Sequence, residues 1–120
     1  MIKYLPTILV CTLVLILSVI NTGVLPQTDM PSADKIVHSI MYLSITLILM
    51  LNQTSYKLRN ISKPQIYFAI IFSFCFGTLM EGIQSLLPWR SGSIYDIIAN
   101  SLGVIVCALI VLPITKKQQR

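Results

Sequence analysis

Apolar residues fall into four long runs separated by short polar stretches. Behind Lys3, the run from Leu5 to Val19 carries no charge, and apolar character continues with polar interruptions to Leu25. At about 1.5 Å of rise per residue, a helix of this length crosses a hydrocarbon core of about 30 Å. Further runs cover about 34–52, 65–87 and 94–114, the third stopped by Pro88. The pattern predicts an all-α protein: one domain over residues 1–120, folded as a four-helix transmembrane bundle. A cleaved leader is the competing reading of the first run, but no small-residue cleavage pattern follows it, so the span is expected to be retained.

The connections are distinct in character. Residues 26–34 are polar, with Pro26, Pro31, Asp29 and Asp34, and read as a short exposed link. Ser32 or Asp34 is then the expected N-cap of the second helix, with Asp34 favourably placed at the positive end of the helix dipole. The stretch from Asn52 to Pro64 holds Lys57, Arg59 and Lys63 and no acidic residue. Arg90 opens a tight turn, Arg-Ser-Gly-Ser, into the fourth run.

Composition fits the pattern, at 55% hydrophobic and 11% charged residues, with a mean hydropathy of +0.80. The net charge of +5 points away from nucleic acid, because the basic residues are scattered or lie at segment ends and form no stripe. They report orientation instead. Lys3, the middle loop and the tail (Lys116, Lys117, Arg120) hold seven of the nine basic residues, leaving only Lys35 and Arg90 elsewhere. By the positive-inside rule, both termini are expected in the cytoplasm. Tyr4, Tyr56 and Tyr67 then mark the inner boundary, and Trp89 and Tyr95 the outer one. Cys11, Cys75 and Cys107 each lie in an apolar run without a Cys-x-x-Cys pair, and read as packing residues.

This topology gathers the remaining ionisable groups into the outer half of the membrane, where a charge is expensive unless paired or used. Asp34, His38 and Tyr42 share one helix face at four-residue steps; Glu81, Gln84 and Pro88 share another, and Asp96, Asn100 and Gly103 a third. Glu81 and Asn100 lie roughly 10 Å inside their helix ends at 1.5 Å per residue. Tyr42 is too deep for an interfacial anchor and is expected to point into the bundle. Ser73 with Gly77, and Ala99 with Gly103, offer small-residue pairs for close helix approach.

Arg90, the hydroxyls of Ser91 and Ser93 and the N-terminus of the fourth helix together suit a phosphate or carboxylate. His38 with Asp34, Glu81 and Asp96 is a donor set acceptable to a hard or borderline cation. The spacing fixes no geometry for it, and neither a metal nor a cofactor is assigned. The candidate binding residues are thus Asp34, Lys35, His38, Tyr42, Glu81, Gln84, Arg90, Asp96 and Asn100. Glu81 and His38 are the candidates should a reaction be catalysed. The same groups also admit a purely structural reading, as a polar knot that fixes helix register.

Three motifs, Asp34-Lys35-x-x-His38-x-x-x-Tyr42, Glu81-x-x-Gln84-x-x-x-Pro88-x-Arg90 and Asp96-x-x-x-Asn100-x-x-Gly103, occur in an order that resembles the VanZ-like family of small bacterial membrane proteins. Ser39 stands where the family usually has an aromatic residue. The resemblance implies an integral protein of the bacterial cell membrane, associated with resistance to teicoplanin, a lipid-tailed glycopeptide directed at cell-wall precursors. It implies no particular reaction.

Three functions from different classes are consistent with these residues. One is an outward-facing pocket for the head group of a membrane lipid or lipid-linked cell-wall precursor. The second is an enzyme acting on such a lipid with Glu81 or His38 as acid or base, although familiar intramembrane hydrolase motifs are absent from the sequence. The third is transport, which the wholly apolar inner half disfavours. A homo-oligomer is compatible with four helices that bury little of themselves.

Overall fold

A computed structural model describes residues 2–20, 31–90 and 92–116. After a 3-10 turn at Ile2–Tyr4, the described chain forms helices α1 (Leu5–Val19), α2 (Pro31–Gln53), α3 (Lys63–Leu86) and α4 (Ile94–Lys116), with no strand among the described residues. Counting the 3-10 turn with α1, each provides an apolar stretch of 18 to 24 residues, long enough to cross a membrane.

The helix ends follow from local chemistry. α2 begins at Pro31, three residues ahead of the expected start, which places Ser32 and Asp34 within its first turn. Proline is tolerated there because the first N–H of a helix has no intrahelical acceptor. Residues 21–25 of the expected first span, and the Asp34 side chain, lie outside what is described. α2 closes with Tyr56 N–H donating to Leu51 O at 2.7 Å and Ser55 in the left-handed region at φ 51°, a Schellman-type ending. α3 opens on Ser62, whose N–H donates to Gln65 Oε1 at 2.9 Å, one arm of a capping box. It ends where Leu87, immediately before Pro88, turns extended at φ −86° and ψ 131°, as the proline ring requires of its predecessor.

The outer surface is apolar: Leu9, Leu13, Ile71, Leu79, Leu109 and Ile110 are all more than half exposed. Lipid makes no demand that such side chains be buried, whereas polar groups at bilayer depth must find partners within the protein. Accordingly, the interior mixes apolar packing with polar contacts. Toward the α2–α3 loop the core is Leu49, Met50, Ile66, Cys107 and Val111, and at mid-depth it is Val14, Tyr42, Ile45 and Val104. Near the first of these, Asn52 Nδ2 donates to Thr7 Oγ1 and ties α2 to α1.

α2 and α4 form the most extensive contact. Gly103 makes it possible, because a Cβ there would overlap the Ser39 carbonyl. Ser39 Oγ in turn donates to the Ala99 carbonyl at 2.8 Å. Gly77 plays the same part on α3, where an added Cβ would come within 2.9 Å of the Tyr42 ring. All three cysteines are free thiols: Cys107 is buried, Cys11 half-buried and Cys75 exposed.

Candidate functional site

At the end of the bundle beside the α3–α4 turn, four polar side chains from three helices meet. His38 (α2), Glu81 (α3), Asp96 and Asn100 (α4) are 7%, 4%, 7% and 3% exposed. Their positions follow from helical periodicity: each helix turns one face inward, and the close α2–α4 approach at Gly103 brings His38 and Asn100 together. His38 Nδ1 lies 3.0 Å from Asn100 Oδ1 and 3.8 Å from Glu81 Oε1. Because the amide oxygen only accepts, His38 Nδ1–H is the donor in the first contact.

Glu81 has a second partner. Its Oε2 accepts the backbone N–H of Ser93 at 3.3 Å, immediately ahead of α4. The carboxylate thereby lies at the helix N-terminus, where unsatisfied N–H groups and the dipole favour negative charge. Asp96 stands in the first turn of the same helix. One donor atom from each of His38, Glu81 and Asp96 lies within 4.8 Å of the others. Among the described residues this is the trio of such groups spaced closely enough to hold a metal ion.

Gln84 and Arg90 are placed differently from the cluster. Gln84 Nε2 donates to Ser18 O at 3.3 Å, Trp89 Nε1 to Val19 O at 3.1 Å, and Arg90 Nη2 to Leu17 O at 3.1 Å. The last carbonyls of a helix have no partner within it, so α3 and the turn close the C-terminus of α1. This changes the expectation that Arg90 and the α4 N-terminus would cradle an external anion: Glu81 takes the Ser93 N–H, and the guanidinium turns to α1. Arg90 Nε remains buried without a hydrogen-bond partner, and Ser91 lies outside the described residues. Trp89, read from sequence as an interfacial anchor, joins the same clamp. No periodic signal links Trp89 to Val19, 70 positions away.

Lys35 does not join the cluster either. Its ammonium lies 5.8 Å from the centroid of the Tyr95 ring, a cation–π distance. Lys35 and Tyr95 stand at a groove of about 460 Å³ between α2 and α4, whose other walls include Ile36, Ile40, Ile98 and Leu102. The groove was not legible in the sequence, since it depends on how two helix surfaces diverge beside the Ser39–Gly103 contact. Tyr42 is 1% exposed and packs against Phe76 with ring centroids 6.4 Å apart.

With this geometry established, comparison with known proteins gives one match. The family model VanZ/LLP1 covers residues 4–115, nearly the whole chain and all four helices but for the last residue of α4. No curated protein and no solved structure matches the chain. The protein is therefore a membrane protein with four candidate spans, and it belongs to the VanZ/LLP1 family.

Proposed function

We propose that the protein binds a phosphate-bearing membrane lipid, a phospholipid or a lipid-linked cell-wall precursor, in the groove between α2 and α4. The observation that carries this reading is the groove's amphiphilic form: isoleucine and leucine walls for an acyl chain, with the Lys35 ammonium and the Tyr95 ring at one place on its rim. An ammonium beside an apolar trough attracts an anionic head group, while the trough exchanges lipid for lipid at little cost. The basic residues of the α2–α3 loop support an orientation with that loop and both termini in the cytoplasm of a bacterial cell. The α3–α4 turn then faces outward, toward cell-wall assembly, which accords with the resistance association implied by the motifs.

Native mass spectrometry of protein released from mild detergent tests this reading. The wild type is expected to retain a lipid class that its mass identifies. Lys35→Ala should lower occupancy about tenfold, equivalent to about 1.4 kcal/mol, and Ile98→Trp should block the groove, both with the melting temperature nearly unchanged. Retention unaffected by either change, or no retained lipid in the wild type, would discard the reading.

A further inference from the structure

We infer that the end of the bundle bearing the α2–α3 loop is a binding surface for anionic phospholipids, separate from the α2–α4 groove. Lys35 at the groove and Gln53 at the end of α2 stand roughly 27 Å apart along that helix at 1.5 Å per residue, so the two surfaces lie at opposite ends.

The first argument is charge, which the fold collects from separate segments. Lys57, Arg59 and Lys63 are exposed on the α2–α3 connection. The N-terminal turn is drawn to the same end, where Lys3 Nζ donates to the Gln53 carbonyl at 3.3 Å. α4 also ends here, because Leu58 packs on the core that includes Val111, and the helix stops at Lys116. None of the chain's acidic residues, Asp29, Asp34, Glu81 and Asp96, falls in these segments. Cations gathered without carboxylates attract anionic head groups within about a Debye length of the membrane surface.

The second argument is that the loop is folded. Ser55 and Tyr56 take left-handed backbone at φ 51° and 66°, and Asn60 N–H donates to Lys57 O at 2.9 Å in the 3-10 turn Leu58–Asn60. Ile61 is buried and Leu58 packs beside it, which leaves Lys57 and Arg59 on the outside. Gln53 Nε2 donates to Gln65 O at 3.3 Å, tying the end of α2 to the start of α3. Cations held on such a frame lose less freedom on binding than cations on a tether.

The third argument selects a lipid over a soluble acidic partner. Lys63, Tyr67 and Ile71 follow at four-residue steps on one exposed face of α3. Their order, cation, aromatic ring, aliphatic chain, matches the order of phosphate, interfacial region and acyl chain down a phospholipid. Tyr67, Phe68 and Ile71 are each more than half exposed, so the apolar part of this face is open to a chain whose phosphate sits at the loop.

The test reconstitutes the full chain into phosphatidylcholine vesicles containing phosphatidylglycerol, with brominated acyl chains on one lipid or the other to quench tryptophan. Trp89 is the sole tryptophan, so Tyr67→Trp in a Trp89→Phe background reports on this end alone. Phosphatidylglycerol should be preferred at position 67 by about fivefold or more, the equivalent of at least one cation near an anionic surface. The preference should vanish in the combined variant Lys57→Gln, Arg59→Gln, Lys63→Gln, and fall in 1 M salt, where the Debye length is about 3 Å. Lys35→Ala should leave it unchanged, and the combined variant should keep the lipid held in the groove, so the two readings fail separately. Equal quenching by the two lipids would overturn the surface and leave its cations to a soluble acidic partner. A preference that survives the combined variant would overturn it as well. If that variant fails to fold, the reporter with the native loop decides, because a preference undiminished in 1 M salt is not one of charge.

Discussion

The carbonyl of Ser39 faces Gly103 so closely that no side chain fits between them. This contact sets the α2–α4 separation, and with it the register that brings His38, the neighbour of Ser39, to Asn100, three residues before Gly103. Gly103→Ala is therefore expected to destabilise the bundle by about 1–3 kcal/mol through forced separation of two packed backbones. Gly82→Ala is the matched control, since nothing lies within 4 Å of the added methyl. It should be neutral or stabilising, by up to about 1 kcal/mol. Thermal melts of the two variants in one detergent check the pair, and equal effects would contradict the geometry.

Asn100→Leu removes the acceptor for His38 Nδ1–H and leaves a polar ring nitrogen buried without that bond. The expected cost is about 1–3 kcal/mol, the penalty for an unsatisfied buried donor. Asn100→Asp keeps the acceptor and should cost less by melting temperature. If the two variants melted alike, the His38–Asn100 bond would carry little of the stability.

The clamp on α1 predicts a local effect. Arg90→Ala and Trp89→Phe each remove one donor from the terminal carbonyls of α1, worth about 0.5–1.5 kcal/mol apiece. Hydrogen exchange should quicken around residues 16–20 while the α2 and α4 amides that face each other stay protected. Lipid occupancy in Arg90→Ala should match wild type, in contrast to Lys35→Ala. A reversal of that contrast would return Arg90 to the head group.

Orientation is checked by single cysteines in a background where the three native cysteines are replaced by alanine. Leu86→Cys, 84% exposed at the α3–α4 end, should react with a membrane-impermeant maleimide in intact cells. Arg59→Cys, in the basic loop, should react only after permeabilisation. The opposite result would invert the topology.

Four spans, their approximate ends and the polar faces were legible in the sequence because they depend on neighbours along one chain. Hydrocarbon thickness fixes helix length, proline at 88 stops α3, and a period of 3.6 residues aligns Asp96 with Asn100 and Glu81 with Gln84. The same periodicity placed His38 on one face with Tyr42 and marked Tyr42 as inward-facing. Which of the marked residues act together was not legible, because side-chain partners in space are set by helix separation and rotation. Arg90 and Glu81 show this: either was suited to an ion at the outer end, and only packing turned the guanidinium to the Leu17 carbonyl and the carboxylate to the Ser93 N–H. The sequence alone thus determined a membrane-spanning helical chain with an uncommon set of deep polar groups. Tertiary structure decided that three of these converge within 4.8 Å and that Lys35 stands aside on a lipid-facing groove, because one close contact between Ser39 and Gly103 governs how the helix faces meet.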